Sequence, residues 1–166
     1  IFPGANDNAS GMSMLLCLAE EIKQHPLKKN VLFIAFAGEE AGLQGSRWGG
    51  TDRPIDFSRI SMMVNLDLNG TGDEGITVVN STAQQKFFDK LTEINKKDNL
   101  LVNVKPRGPA CNSDHCPFVE KGVPAVFIYT MGGISAYHDV FDKPETLPLT
   151  EFDDLYRLLV AALKTI

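Results

Sequence analysis

The chain has 166 residues, of which 43% are hydrophobic and 22% charged. That is enough to bury a sizeable core within one domain spanning residues 1–166, and the balance is ordinary for a soluble globular protein. Sixteen lysines and arginines face 21 acidic residues, a net charge of −5, and no basic patch stands out, which argues against nucleic acid as a partner. No apolar run approaches the roughly 20 residues that span a bilayer.

In chain order, Ile1-Phe2-Pro3-Gly4 has neither an initiator methionine nor a signal peptide, so the expectation is a piece of a longer protein. Asn8 and Ser10 are candidate N-caps for a first helix. Met12, Leu15, Leu16, Ala19 and Ile22 recur on it at helical spacing, and it ends near His25-Pro26. Residues 31–37 are almost wholly apolar and read as a buried strand. Gly38 ends that run on two adjacent carboxylates, Glu39 and Glu40, at a strand's C-terminal end, where open α/β sheets bind ligands. Neighbouring carboxylates repel unless a cation shares them or one holds a proton. The other reading is a solvated acidic turn.

The glycine-rich stretch 42–50 has room for a short helix. Residues 60–68 form a second apolar run, again with an acidic residue, Asp67, at its end. Residues 76–79 read as a β-branched strand, 84–97 as an amphipathic helix with Phe87, Phe88, Leu91 and Ile94 on one side, and 101–104 as an edge strand. Ser113 is a candidate cap for a short helix over 113–121, which Gly122 stops. Residues 123–129 form another buried strand, with Pro124 allowed only near its start. Thr150-Glu151-Phe152-Asp153 resembles a capping box before a last helix that buries Leu155, Leu158, Leu159, Ala162 and Leu163. Strands alternating with helices, several of them apolar on both faces, imply an α/β fold with a parallel or mixed sheet covered on two sides.

The three cysteines decide little. Cys17 reads as a small buried apolar residue of the first helix. Cys111 and Cys116 fit either a tight disulfide in an oxidising compartment or two free thiols. Their spacing does not match a common zinc-cysteine motif.

Chemistry-bearing residues cluster at strand ends and in glycine-rich loops: Asp7, Glu39-Glu40, Asp67 and His138. Singly each has an ordinary explanation: a helix cap for Asp7, a turn former before Asn69-Gly70 for Asp67, a loop histidine for His138. Together, carboxylates with an imidazole suit zinc, and a carboxylate shared by two metals suits co-catalytic hydrolysis. His115, in Ser113-Asp114-His115, ranks below His138 as a ligand, because a hydrolase triad needs spatial rather than sequential adjacency. No Gly-x-Ser-x-Gly elbow exists. His25 reads as solvent-facing.

The strings Asp7-Asn8-Ala9-Ser10-Gly11, Ala37-Gly38-Glu39-Glu40-Ala41-Gly42-Leu43-Gln44-Gly45-Ser46 and Asn65-Leu66-Asp67 resemble the di-zinc aminopeptidase family of metalloexopeptidases, of the bacterial leucyl and aminopeptidase-Y-like kind. Ser113-Asp114-His115-Cys116-Pro117-Phe118 and Tyr137-His138-Asp139 continue the likeness in the same order. The resemblance implies a three-layer α/β/α sandwich, of phosphorylase/hydrolase-like type, with a mixed, mostly parallel sheet. It also implies hydrolysis of the N-terminal residue of a peptide through a metal-bridged water. Asp7 would bridge two zinc ions, Glu40 and His138 would complete one site, and Asp67 would belong to the other. Glu39 would be the general base, and Tyr137 matches a tyrosine that helps stabilise the oxyanion in some relatives. Met131, Phe141 and Trp48 are guesses for the substrate pocket's walls. Relatives are often exported, so a secreted or periplasmic location is favoured over the cytoplasm.

The family pattern also has a histidine in a His-x-Asp string ahead of the Asp7 segment, and nothing precedes Ile1. The expectation is therefore at most one well-held zinc in this chain, weak or absent peptidase activity, and an unpaired sheet edge. Two alternatives stay open. One is a single-zinc enzyme like glutaminyl cyclase; the other is a binding domain of the same fold without catalysis.

Overall fold

The computed structural model describes residues 2–49 and 55–166. Among these residues, four strands form one mixed sheet: β1 (Met63–Leu66), β2 (Ile76–Val79), β3 (Val104–Pro106) and β4 (Ala125–Thr130), in the order β1-β4-β2-β3. β1 runs parallel to β4 with Met63 opposite Ala125, and β2 runs parallel to β3. β2 and β4 are antiparallel, with Ile76 opposite Thr130. Pro124 lies just ahead of β4, where its missing N–H costs no ladder bond, and its carbonyl accepts from Met63 N.

Alternation along the strands separates two layers. Leu66, Ile76, Val78, Val126 and Ile128 face the larger core, which they share with α1 (Gly11–Gln24), α3 (Gln85–Asp98) and α5 (Phe152–Leu163). Ala125 instead packs with Phe118 of α4 (Cys116–Glu120), and Met63, Phe36 and Phe57 lean on that smaller cluster. Helices therefore flank the sheet, as the α/β/α expectation requires. Leu155, Leu158, Leu159 and Ala162 of α5 are all buried. No helix among the described residues is long and apolar enough to cross a membrane.

Several local expectations are corrected. Residues 31–37 join no ladder among the described residues. Phe33 packs on the large core and Phe36 on the small one, yet Leu32 is 67% exposed. An apolar run reads as a strand buried on both faces, but a strand also needs a hydrogen-bonded neighbour, and the described residues offer none. In α1 the buried stripe is Met14 and Leu18 rather than Met12 and Leu16, and Cys17 is exposed. The segment Met14-Leu15-Leu16-Cys17-Leu18-Ala19 is apolar all round, so periodicity alone does not choose its face.

Strand β3 starts at Val104, later than expected. Asn95 of α3 occupies both backbone groups of Leu101, accepting from its N at 2.8 Å and donating to its O at 2.8 Å, which withholds Leu101 from the ladder. The capping box at Thr150 does not form, because the Thr150 hydroxyl donates to Asp73 instead. Cys111 and Cys116 are disulfide-bonded with their Cα atoms 4.8 Å apart. A short helix, α2 (Gln44–Gly49), occupies the glycine-rich stretch; Gly50 lies outside the described residues, as does Ile1.

Candidate metal centre

Because β1 and β4 are parallel, their C-terminal ends open on the same edge of the sheet, and Asp67 and His138 follow those ends. Asp7 reaches the edge from the N-terminal side of α1. It lies in the wide turn Ala5–Ser10 that leads into α1, where Asp7 and Asn8 leave helical dihedrals and the peptide between them is cis. Asn8 ties that turn to β1: its amide donates to Leu66 O at 3.0 Å, and its Oδ1 accepts from Gly11 N at 3.0 Å, acting as the helix cap. Ser10 was the other cap candidate, but its hydroxyl turns inward, donating to Asn6 O and accepting from Asn69 N. Gly11 lets the helix start against the strand, since a Cβ there would come within 2.7 Å of Leu66 O.

Glu39 and Glu40 sit on the corner after residues 31–37. Gln44 N and Gly45 N donate to the carbonyls of Gly38 and Ala37, folding α2 back on the corner. Gly38 takes φ +69°, a left-handed conformation that glycine adopts without penalty.

Here the predicted residues meet. His138 Nε2 is 2.7 Å from Glu40 Oε1 and 3.1 Å from Asp7 Oδ2. One donor atom from each of the three lies within 4.8 Å of the other two. Asp67 and Glu39 line the same cleft of about 180 Å³, along with Tyr137, Phe127 and Tyr129. Tyr137 stacks on the His138 ring with centroids 4.0 Å apart. Of the three apolar guesses for pocket walls, Met131 accepts a hydrogen bond from Thr77 through its sulfur, and Phe141 and Trp48 are at least half exposed. Leu68, Phe127 and Tyr129 supply the apolar lining.

The crowding of carboxylates shows in their acidity. Burial, and next the Glu40 charge, pushes Glu39 up to about 7. Burial and then Asp7 pushes Asp67 up to about 6, against the opposing hydrogen bond from Ser113. Asp7 is raised by burial and by Glu40, with His138 pulling the other way. The phenol of Tyr137 is raised as well, by burial first and then by the surrounding carboxylates, so it keeps its proton. Such a cluster of acids is suited to a shared cation.

The donor set fits zinc. A catalytic zinc takes three protein ligands and keeps a position open, with His nitrogen and Asp or Glu oxygen among its ligand atoms; Asp7, Glu40 and His138 offer three donors of those kinds. Asp67 adds an independent sign: its Oδ2 accepts from Ser113 at 3.2 Å, while Oδ1 is buried with no partner among the described residues. A buried carboxylate oxygen left unpaired is costly unless something cationic faces it.

The residue that sequence reasoning missed is Asp142. Its carboxylate, 1% exposed, accepts from Asn6 N at 2.7 Å and Asp7 N at 3.0 Å, and its carbonyl accepts from Ala5 N. One short segment thus carries both His138 and the clamp on the Asp7 turn. Its proximity in sequence to His138 was the available signal. His115 has a structural place: fully buried, its Nε2 lies 2.8 Å from Ala110 O, a pure acceptor, so that nitrogen carries the proton. Burial lowers its pKa, keeping the ring neutral. Ser113 braces Asp67, and Asp114 accepts from Ser46. His25 pairs with Glu21 at the surface.

The model of peptidase family M28 matches residues 2–163. Aminopeptidase YwaD of Bacillus subtilis is 33% identical over 124 residues, covering 73% of this chain and 27% of that protein. The crystal structure of BSAP, a zinc aminopeptidase from Bacillus subtilis, superposes with a TM-score of 0.84 at 28% identity, covering 99% of this chain and 42% of that one. An aminopeptidase from Aneurinibacillus sp. strain AM-1 gives a TM-score of 0.79 at 27% identity, over 98% of this chain and 39% of that one. The chain thus spans less than half the length of these relatives.

Proposed function

This chain belongs to peptidase family M28, and on that footing we propose that it carries the zinc site of an aminopeptidase, which removes the N-terminal residue of peptides. The observation that carries the reading is the convergence of Asp7, Glu40 and His138 beside Glu39 at the sheet's C-terminal edge. Asp7, Glu40 and His138 would hold one zinc. For a second ion the chain offers Asp67 and a shared Asp7, so we assign it one well-held zinc. Zinc, when bound, supplies a Lewis acid that polarises the scissile carbonyl and eases ionisation of the attacking water.

The chain's own residues do the rest. Glu39 accepts a proton from the attacking water as its oxygen bonds to the carbonyl carbon, then delivers that proton to the leaving amine as the C–N bond breaks. Tyr137, protonated and beside the cluster, donates to the oxygen on which negative charge develops. Carboxylates of the cleft favour a substrate with a free ammonium terminus. The Cys111–Cys116 disulfide supports an oxidising compartment outside the cytoplasm.

Release of the chromophore from a leucine anilide tests this reading. The zinc-loaded protein should release it, lose the activity with chelator, regain it on zinc addition, and leave the N-acetylated twin intact. Cyclisation of an N-terminal glutamine peptide without anilide release would support the single-zinc cyclase instead. A folded protein that takes up no zinc and turns over neither substrate would support a binding domain.

A further inference from the structure

Among the described residues lining the cleft, one is cationic: Arg107. It follows β3 at the sheet's edge, and its backbone is pinned there. Its N–H donates to Val78 O and to Ser81 Oγ, each at 3.0 Å, and Ser81 Oγ donates back to its carbonyl. Its guanidinium is exposed and donates through Nη1 to Tyr129 OH at 3.2 Å.

Arg107 does not neutralise the acidic cluster. It takes part in none of the ion pairs among the described residues. The cleft therefore has a negative region and a separate positive point. A guanidinium has five N–H donors in a planar fork matched to a carboxylate, and one of them is engaged with Tyr129. At about 180 Å³ the cleft is small beside the roughly 300–1,000 Å³ of common ligand sites, so a ligand that reaches both regions is short.

The geometry points to Arg107 as a specificity-determining residue that selects short peptides bearing a carboxylate within one or two residues of the bond to be cut. This rests on the aminopeptidase reading above. The ammonium end of such a peptide meets the acids and its carboxylate meets Arg107, which fixes the direction in which it lies. Two sources supply that carboxylate, the free C-terminus of a dipeptide or an acidic side chain after the scissile bond.

Four peptides separate them: Leu-Leu, Leu-Leu-amide, Leu-Glu-amide and Leu-Gln-amide. Their kcat/KM is measured with the zinc-loaded chain, and their Kd by calorimetry with the metal-free chain, where nothing turns over. Wild type, Arg107→Ala and Arg107→Lys are compared. The wild type should favour Leu-Leu over its amide, Leu-Glu-amide over Leu-Gln-amide, or both, by about tenfold, as expected for a charge-assisted bond at a partly solvated site. The favoured pair identifies the source. Arg107→Ala should bring that ratio to about one, mainly through KM, and Arg107→Lys should restore part of it. Equal constants within both pairs for the wild type, no measurable binding, or an equal loss for all four peptides in Arg107→Ala would overturn the assignment. Discrimination in binding by a chain that takes up no zinc would sink the aminopeptidase reading and leave Arg107 standing. Hydrolysis without discrimination would do the reverse.

Discussion

The two sides of the site are held in different ways. Asp7 and Asp67 stand on buried, hydrogen-bonded ground: Asp142 clamps the Asp7 turn, Asn6 accepts from Gly70 N, and Ser113 braces Asp67. Glu39 and Glu40 ride on a corner whose approach, residues 31–37, has no ladder partner among the described residues and whose Glu40 side chain is 62% exposed. One half is pre-organised by satisfied polar groups. The other half takes its position from packing and a few turn hydrogen bonds. Stability and chemistry should therefore separate when each half is changed.

The largest effect is expected on the exposed half. Glu39→Gln should lower kcat by about 10²–10⁴-fold, the usual contribution of a positioned general base, while zinc content and melting temperature stay near wild type. A matching loss of stability would erase the contrast. On the anchored half, Asp142→Ala leaves one buried and one part-buried N–H group unpaired and should cost about 2–4 kcal/mol in denaturant unfolding. Glu40→Ala, measured beside it, should cost little stability. Equal losses would contradict the comparison.

Part of this was legible in the sequence and part was not. β2, β4, α3 and α5 were readable because their apolar spacing, glycines and prolines all agree, as at Pro124 and Gly122. Glu39, Glu40 and Asp67 were legible as candidates because carboxylates stood directly after apolar runs, whereas Asp7 and His138 joined them through the family resemblance. Residues 31–37 misled, since composition reports how apolar a segment is and not whether a neighbour pairs with it. The face of α1 was hidden by a run of six apolar residues, and the start of β3 by the Asn95 side chain. Asp142 was invisible as a clamp because its partners, the N–H groups of Asn6 and Asp7, lie about 135 positions away.

A smaller effect sharpens the electrostatic side. In the metal-free chain, Glu39 and Asp67 are pushed up to about 7 and about 6, above unfolded values near 4. The folded chain then holds more protons than the unfolded one, so their contribution makes stability fall as pH rises from about 4 to about 7. Thermal unfolding across that window should show the slope in metal-free wild type, weaker in Glu39→Gln and in Asp67→Asn, and flattened by zinc. The smallest effect is expected at Leu32, which is 67% exposed: Leu32→Ala should stay within about 0.5 kcal/mol of wild type. Leu158→Ala, at a fully buried position of α5, should cost about 2–5 kcal/mol.

The central claim is that Asp7, Glu40 and His138 form a zinc site within this chain. Zinc per chain, measured by elemental analysis after dialysis against a weak chelator, tests it directly, with His138→Ala alongside. The account predicts one zinc for the wild type and none for His138→Ala. Zinc retained in full by His138→Ala, or no zinc in the folded wild type, would contradict it.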